Sequence, residues 1–183
     1  MYVEPKDSRQ RYTKHCLFDS FLRVLETKPV SAITVSEISD GAGVSRKTFY
    51  KYYSDQFALL VAMQEDLFVG FEGELQHLPP NIFDIVPALI RFSEQHRVLL
   101  KAVYENRGAG NFFDRVYDYL YDAYHEEWER LNPHWTKKNV EFLFAYVVSG
   151  LIGIIRLWLF DEPDMDTEEV IKQADYLMRL TTP

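Results

Sequence analysis

The stretch 33–52 constrains this chain more than any other part of it. Thr34, followed three residues later by Glu37, has the form of a capping box. The hydroxyl satisfies an early backbone N–H and the carboxylate reaches back to the helix start. Val35, Ile38 and Ala42 then share one face of a short helix. Gly41 and Gly43 end it, and Gly43 suits the left-handed position that follows a helix C-terminus. Val44 is the apolar pivot of a tight turn, and Ser45 is a ready N-cap for a second helix. There Phe49 and Tyr53, four apart, pack inward, while Arg46, Lys47, Tyr50 and Lys51 face outward. Two short helices, a glycine turn and a basic, aromatic outer face point to a helix-turn-helix that reads DNA. The same pattern also suits a plain helical hairpin whose charges keep a surface wet, because the motif is short and degenerate.

The wording narrows the choice. The run TVSEISDGAGVSRKTFYKYYSDQFALL, residues 34–60, resembles the DNA-binding signature of the TetR (tetracycline-repressor) family of bacterial regulators. Thr34, Ala42-Gly43-Val44-Ser45, Thr48-Phe49-Tyr50 and Leu59-Leu60 carry the likeness. Further on, AYVVSGLIGIIRLWLFDEPDMDTEEV, residues 145–170, resembles the C-terminal region of a subset that includes regulators of dihydroxyacetone-kinase operons. Residues 78–135 match only loosely. Two positions depart from the family pattern: Gln56 stands where a phosphate-binding lysine is usual, and Tyr52 where histidine is common.

Net charge is −8, which is unpromising for a DNA-binding chain until it is divided. Residues 1–58 hold nine Lys/Arg against seven Asp/Glu, whereas 59–183 hold eleven against twenty-one. A mildly basic head on an acidic body fits local DNA contact. A length of 183 residues suits one domain, or a small module fused to a larger one. The single cysteine, Cys16, rules out an internal disulfide and reads as a small core or boundary residue. The polar N-terminus has no signal-peptide pattern, so the cytoplasm is expected.

In chain order, the polar arm 2–11 precedes a first helix over about 9–27, striped by Leu17, Phe18, Phe21, Leu22 and Leu25 and stopped by Pro29. After the two short helices, Ser54 or Asp55 caps a fourth that carries Phe57, Leu60, Val61, Leu67, Phe68, Phe71 and Leu75 inward as far as Pro79-Pro80. Asn81 caps a segment in which Pro87 either kinks the helix or begins it. Residues 96–106 form a short helix with Val98, Leu99, Ala102 and Val103 inward, and 107–110 a loop. A long helix from Asn111 follows, with Phe113, Val116, Tyr117, Leu120, Tyr124, Trp128 and Leu131 on one face, ended by Asn132-Pro133. Thr136 caps the most apolar helix, 142–160, whose fourteen charge-free residues are too few for a membrane span of roughly 20, so it is expected to be buried. After Glu162-Pro163, Asp166 or Thr167 caps the last helix, striped by Val170, Ile171, Ala174, Leu177 and Met178. The expected fold is therefore all-α, about nine helices: a DNA-binding head over 1–54 (motif about 33–52) joined by a continuous fourth helix to a ligand-binding and dimerisation body over 55–183.

Other constellations carry less. Asp118, Asp122, His125 and Glu129 share a helix face, which reads as a solvated acidic surface, since a metal site needs ligands from several elements. The histidines are scattered, so no catalytic set, cofactor or metal is expected and the chain is not read as an enzyme. Tyr104, Phe112, Phe113, Tyr117, Tyr121, Phe144 and Tyr146 could line an effector cavity or be plain core.

The resemblance implies a homodimeric regulator, a repressor released from its operator by an effector bound in the body, or one signalled through a protein partner. Arg46, Lys47, Tyr50 and Lys51 would address the major groove, and Thr34, Ser36, Ser45, Thr48 and Tyr52 the phosphates. The last two helices would pair with their symmetry mates, placing Gly150, Gly153, Ile154, Trp158, Ile171, Ala174, Leu177 and Met178 at the seam. The rival reading is a helical effector-binding or protein-interaction module that has lost DNA binding, for which Gln56 is the only encouragement.

Overall fold

Local capping sets where the chain turns into helix. The computed structural model describes residues 8–79, 81–131, 133–161 and 164–181, and within them the fold is all-α, with no strand. The helices are α1 (Ser8–Leu25), α2 (Val35–Gly41), α3 (Arg46–Tyr50), α4 (Gln56–Leu75), α5 (Ile82–Gln95), α6 (Arg97–Glu105), α7 (Phe112–Leu131), α8 (Lys137–Arg156) and α9 (Thr167–Thr181). The expected arm before Ser8, Pro80, Asn132 and the Glu162-Pro163 break lie outside the described residues, as do the side chains of Ile82 and Leu131. The chain divides into two compact units, one running through Phe68 and resuming over Val98–Phe112, the other made of Val69–Arg97 and the chain from Phe113.

In the first unit α1 lies on α2. Leu17 and Phe21 are fully buried, and Ser20 Oγ donates to the Ile38 carbonyl at 2.8 Å. Arg23 donates to the Gly41 carbonyl at 3.0 Å. A Cβ on Gly41 would stand 2.4 Å from Ser20 Oγ, so Gly41 serves the close approach of the two helices as well as closing α2. Thr34 and Glu37 form the expected capping box. Glu37 is also paired with Lys28, and these bonds, Lys28 first and Thr34 second, hold its carboxyl down to about 2. A lowered folded value means this pairing contributes above the ordinary 4.5 and is lost as pH falls toward 2.

The turn is a Schellman closure: Val44 N–H reaches the Ser39 carbonyl at 3.0 Å, Gly43 N–H the Asp40 carbonyl at 3.1 Å, and Gly43 has φ +65°. Ser45 caps α3 by accepting from Thr48 N–H at 3.1 Å. Phe49, fully buried, and Tyr53 meet at 5.8 Å between ring centroids. Asp55, rather than Ser54, caps α4, accepting from Ala58 N–H at 2.8 Å.

Several expected positions shift. α1 ends at Leu25, before Pro29 can act on it. Val61 on α4 is exposed, and Leu59, Met63 and Gln64 are buried in its place. α4 is apolar almost all round, so periodicity alone does not set its phase. On α6, which starts at Arg97 because His96 closes α5, Leu100 is buried and Val98 only half-buried.

In the second unit α5 packs on α9 and α8 on both. Asn81 caps α5, and Pro87 sits within the helix rather than beginning it. Arg91 pairs with Glu168 at 2.9 Å and Thr167 donates to Glu94 at 2.5 Å, tying α9 to α5. α8 starts at Thr136 through a second capping box, with Asn139. It buries Val140, Phe144, Val147, Val148 and Leu151, but its other face, with Phe142, Tyr146, Gly150 and Gly153, is exposed. The expectation of a wholly buried helix is corrected: within one chain it has a single covered side. α8 continues through a π-turn, Leu157–Asp161, whose Leu159 carbonyl accepts from Arg97 Nε and Nη2 at 3.1 and 2.6 Å. The resulting 25-residue helix, Lys137–Asp161, is long and apolar enough to cross a membrane by length and composition alone. That test is also met by core helices of soluble proteins.

Candidate nucleic-acid interface and effector site

α3 presents its outward side chains because Phe49 anchors it from within. Arg46, Lys47 and Lys51 are exposed and Tyr50 is 58% exposed, its ring set edge-on against Phe49 at 5.7 Å. Among the described residues no carboxylate lies within ion-pair distance of Arg46, Lys47 or Lys51, so their charges are available to a ligand. Lys51 Nζ stands 6.0 Å over the half-buried Tyr52 ring.

The hydroxyls assigned to phosphate are already engaged. Thr34 Oγ1 donates to Glu37 Oε2 at 2.8 Å and accepts from Glu37 N–H at 3.3 Å. Ser45 and Thr48 hydroxyls share a 2.9 Å bond, and Ser36 reaches Asp40 at 3.5 Å. Their first task is capping. Gln56, half-buried, is the first residue of α4.

The aromatic set is brought together only in part. Phe144 is fully buried, ringed edge-on by Tyr117 at 5.2 Å, Tyr121 at 5.2 Å and Trp128 at 5.7 Å. Burial raises the Tyr117 phenol above its ordinary value, with Tyr121, Asp118 and Glu141 adding to the rise. Phe113 is half-buried. Tyr146 is exposed on the opposite face of α8, because Phe144 and Tyr146 are two apart on a helix, so it leaves the cluster. Tyr104 belongs to the first unit, stacked under the Arg107 guanidinium at 4.0 Å. Phe112 is in the first unit too, edge-on to Phe68 at 6.3 Å.

The acidic face of α7 gathers no group of three metal-type ligands among the described residues, and His125 Nδ1 is bonded to the Tyr121 carbonyl at 2.8 Å. The proposed seam residues divide. Gly150 and Gly153 are exposed with no atom within 4 Å of an added Cβ, Leu177 is exposed and Ile154 half-buried. Trp158, Ile171, Ala174 and Met178 are instead buried in their own chain, with Trp158 Nε1 donating to the Met165 carbonyl at 2.9 Å. They support the exposed face from beneath, so they are corrected from contact residues to core.

Sequence reasoning missed Gln64. It is only 4% exposed, and its Nε2 has no hydrogen-bond partner. The only warning in the sequence is a glutamine in phase with Leu60, Leu67 and Phe68.

A capped helix pair behind an open, cationic, aromatic recognition face, followed by an all-helical body, defines a helix-turn-helix transcriptional regulator. Residues 17–63 match the family described as bacterial regulatory proteins, tetR family, and residues 81–180 match a transcriptional regulator C-terminal region of the same family. The chain belongs to the TetR family of bacterial transcriptional regulators.

The transcriptional regulator EthR of Mycolicibacterium smegmatis is 36% identical over 63 residues, 32% of this chain and 29% of that protein. The match thus spans 29% of EthR, under a third of its length. The uncharacterized regulator YvdT of Bacillus subtilis is 22% identical over 156 residues, 74% of this chain and 79% of its own. Among solved structures, the fatty acid degradation regulator FadR of Bacillus halodurans superposes with TM-score 0.72 at 16% identity, covering 96% of both chains. The dihydroxyacetone kinase operon activator DhaS does so with TM-score 0.64 at 17% identity, covering 93% of this chain and 96% of its own. These superpositions establish the shared all-α fold.

Proposed function

We propose that this chain is a homodimeric cytoplasmic repressor, released from its operator when a small molecule binds in the helical body. Residues 1–54 supply the DNA contacts and 55–183 the effector site and dimer seam. The observation that carries the reading is the uncommitted cationic face of α3, Arg46, Lys47 and Lys51, beside exposed Tyr50. The lost-binding rival would leave that face without a purpose. Release is supported by analogy with a FadR of Thermus thermophilus, described as a repressor in complex with lauroyl-CoA. α4 follows the recognition helix without a flexible linker and extends about 30 Å, so an effector that shifts it changes the separation of the two heads. The apolar face of α8 is assigned to a second copy of the chain rather than to lipid.

Fluorescence anisotropy on the upstream DNA of the chain's own gene tests this. Arg46→Ala should cost about 1–3 kcal/mol and relax preference at one base per half-site, and Lys47→Ala should weaken binding. Unchanged affinity in both variants would remove α3 from the interface and favour the rival.

The same titration reads the phosphate contacts. Each neutralised phosphate steepens the fall of affinity with salt by about 0.9 log unit per log unit of salt. Gln56→Lys should therefore raise the slope by about two per dimer, tightening operator and non-operator DNA alike. A slope that stayed put would mean that α4 does not start at the phosphate backbone.

A further inference from the structure

The carboxamide of Gln64 lies against the backbone of Gly110, its Oε1, Cδ and Nε2 standing 2.1, 2.7 and 2.8 Å from where a Cβ on residue 110 would be. Any other residue at 110 would displace it. One turn further along α4, Phe68 meets Phe112, two residues beyond Gly110, edge-on at 6.3 Å. Four residues of one unit thus meet in two pairs: two from α4, with Gly110 from the connection between α6 and α7 and Phe112 from the start of α7. Its surroundings on α4 are apolar, since Leu60, Leu67 and Phe68 are buried in phase with Gln64. Yet Gln64 Nε2 has no acceptor. An N–H taken out of water with no partner destabilises the fold, so such a group calls for an explanation. Gly110 is exposed, as is Gly108, which has no atom within 4 Å of an added Cβ.

We propose that Gln64 is the polar anchor of the effector site, donating its free N–H to a carbonyl oxygen on an otherwise apolar, ring-bearing small molecule. The assignment rests on the effector reading above only for its consequence at DNA; binding itself is separable. An apolar site gains selectivity from a buried donor because a ligand without an acceptor leaves that donor unpaired.

The probes are acetophenone, which carries the carbonyl, and α-methylstyrene, which has the same shape with a methylene in its place. Both are titrated into the intact protein by NMR, observing the Gln64 side-chain N–H₂, assigned by its loss in Gln64→Leu. Acetophenone should move that resonance and bind at least 10-fold more tightly than α-methylstyrene. In Gln64→Leu and in Gly110→Ala, which displaces the amide without removing it, the preference should vanish. Circular dichroism should show that Gln64→Leu keeps the helical fold. Equal binding of the two probes, binding of neither, or a preference that survives in Gln64→Leu would each overturn the assignment. If acetophenone binds as expected and affinity for operator does not change, the site stands and release by an effector there fails.

Discussion

Gly150→Leu should split the dimer while leaving the fold of each chain intact. Gly150 lies inside α8 on its exposed face, and nothing within 4 Å would meet the new Cβ. In an isolated chain the change is harmless or helpful, since leucine favours a helix interior over glycine by about 1 kcal/mol or slightly less. Across a two-fold seam the leucine enters twice. Overpacking costs about 1–3 kcal/mol per site, hence about 2–6 kcal/mol per dimer, or roughly 30- to 20,000-fold in its dissociation constant. Sedimentation across a concentration series measures it, with circular dichroism confirming retained helix. The exposed neighbours Phe142, Tyr146, Leu157, Tyr176 and Leu180 make this face the one that needs covering. A dissociation constant that did not move would place the seam elsewhere and reopen the question of what covers α8.

Phe144→Ala should act in the opposite way, destabilising the chain with no direct effect on the seam. Its ring is fully buried and touched by three aromatic rings, so removal should cost about 3–5 kcal/mol in urea unfolding at an unchanged m-value. The size of the loss also decides between two readings of these aromatics. A filled cluster cannot collapse onto the space left by the ring, and the cavity is felt in full. A loss under about 1 kcal/mol would mean that Tyr117, Tyr121 and Trp128 enclose space rather than fill it, and would return the effector site to α7 and α8. Full destabilisation leaves Gln64 as the better place to look for a ligand.

The head was legible in the sequence almost residue by residue. Thr34 with Glu37, Gly43, Ser45, and the inward Phe49 against the outward Arg46, Lys47, Tyr50 and Lys51 all stand as the spacing implies. Each is a local matter, settled by hydrogen bonds or side-chain directions within about five residues, so the neighbours that decide it are written beside it. Thr136 at the start of α8 was readable for the same reason.

What the sequence could not decide is which side of an apolar helix is covered. Val61 and Leu59 are equally apolar, and the packing around α4 buries the second. α8 reads as buried because residues 142–155 carry no charge and are mostly apolar, yet one face remains open in the chain. Trp158, Ala174 and Met178 look like seam residues by composition, but the chain's own packing buries them. The contact of Gly41 with Ser20 joins residues 21 apart, and that of Gly110 with Gln64 residues 46 apart, and neither glycine differs in sequence from one that merely ends a helix. Caps and turns are determined by the chain alone because their energies are local. Burial, close approach and the unpaired amide of Gln64 depend on which distant segments arrive, and only tertiary structure brings those together.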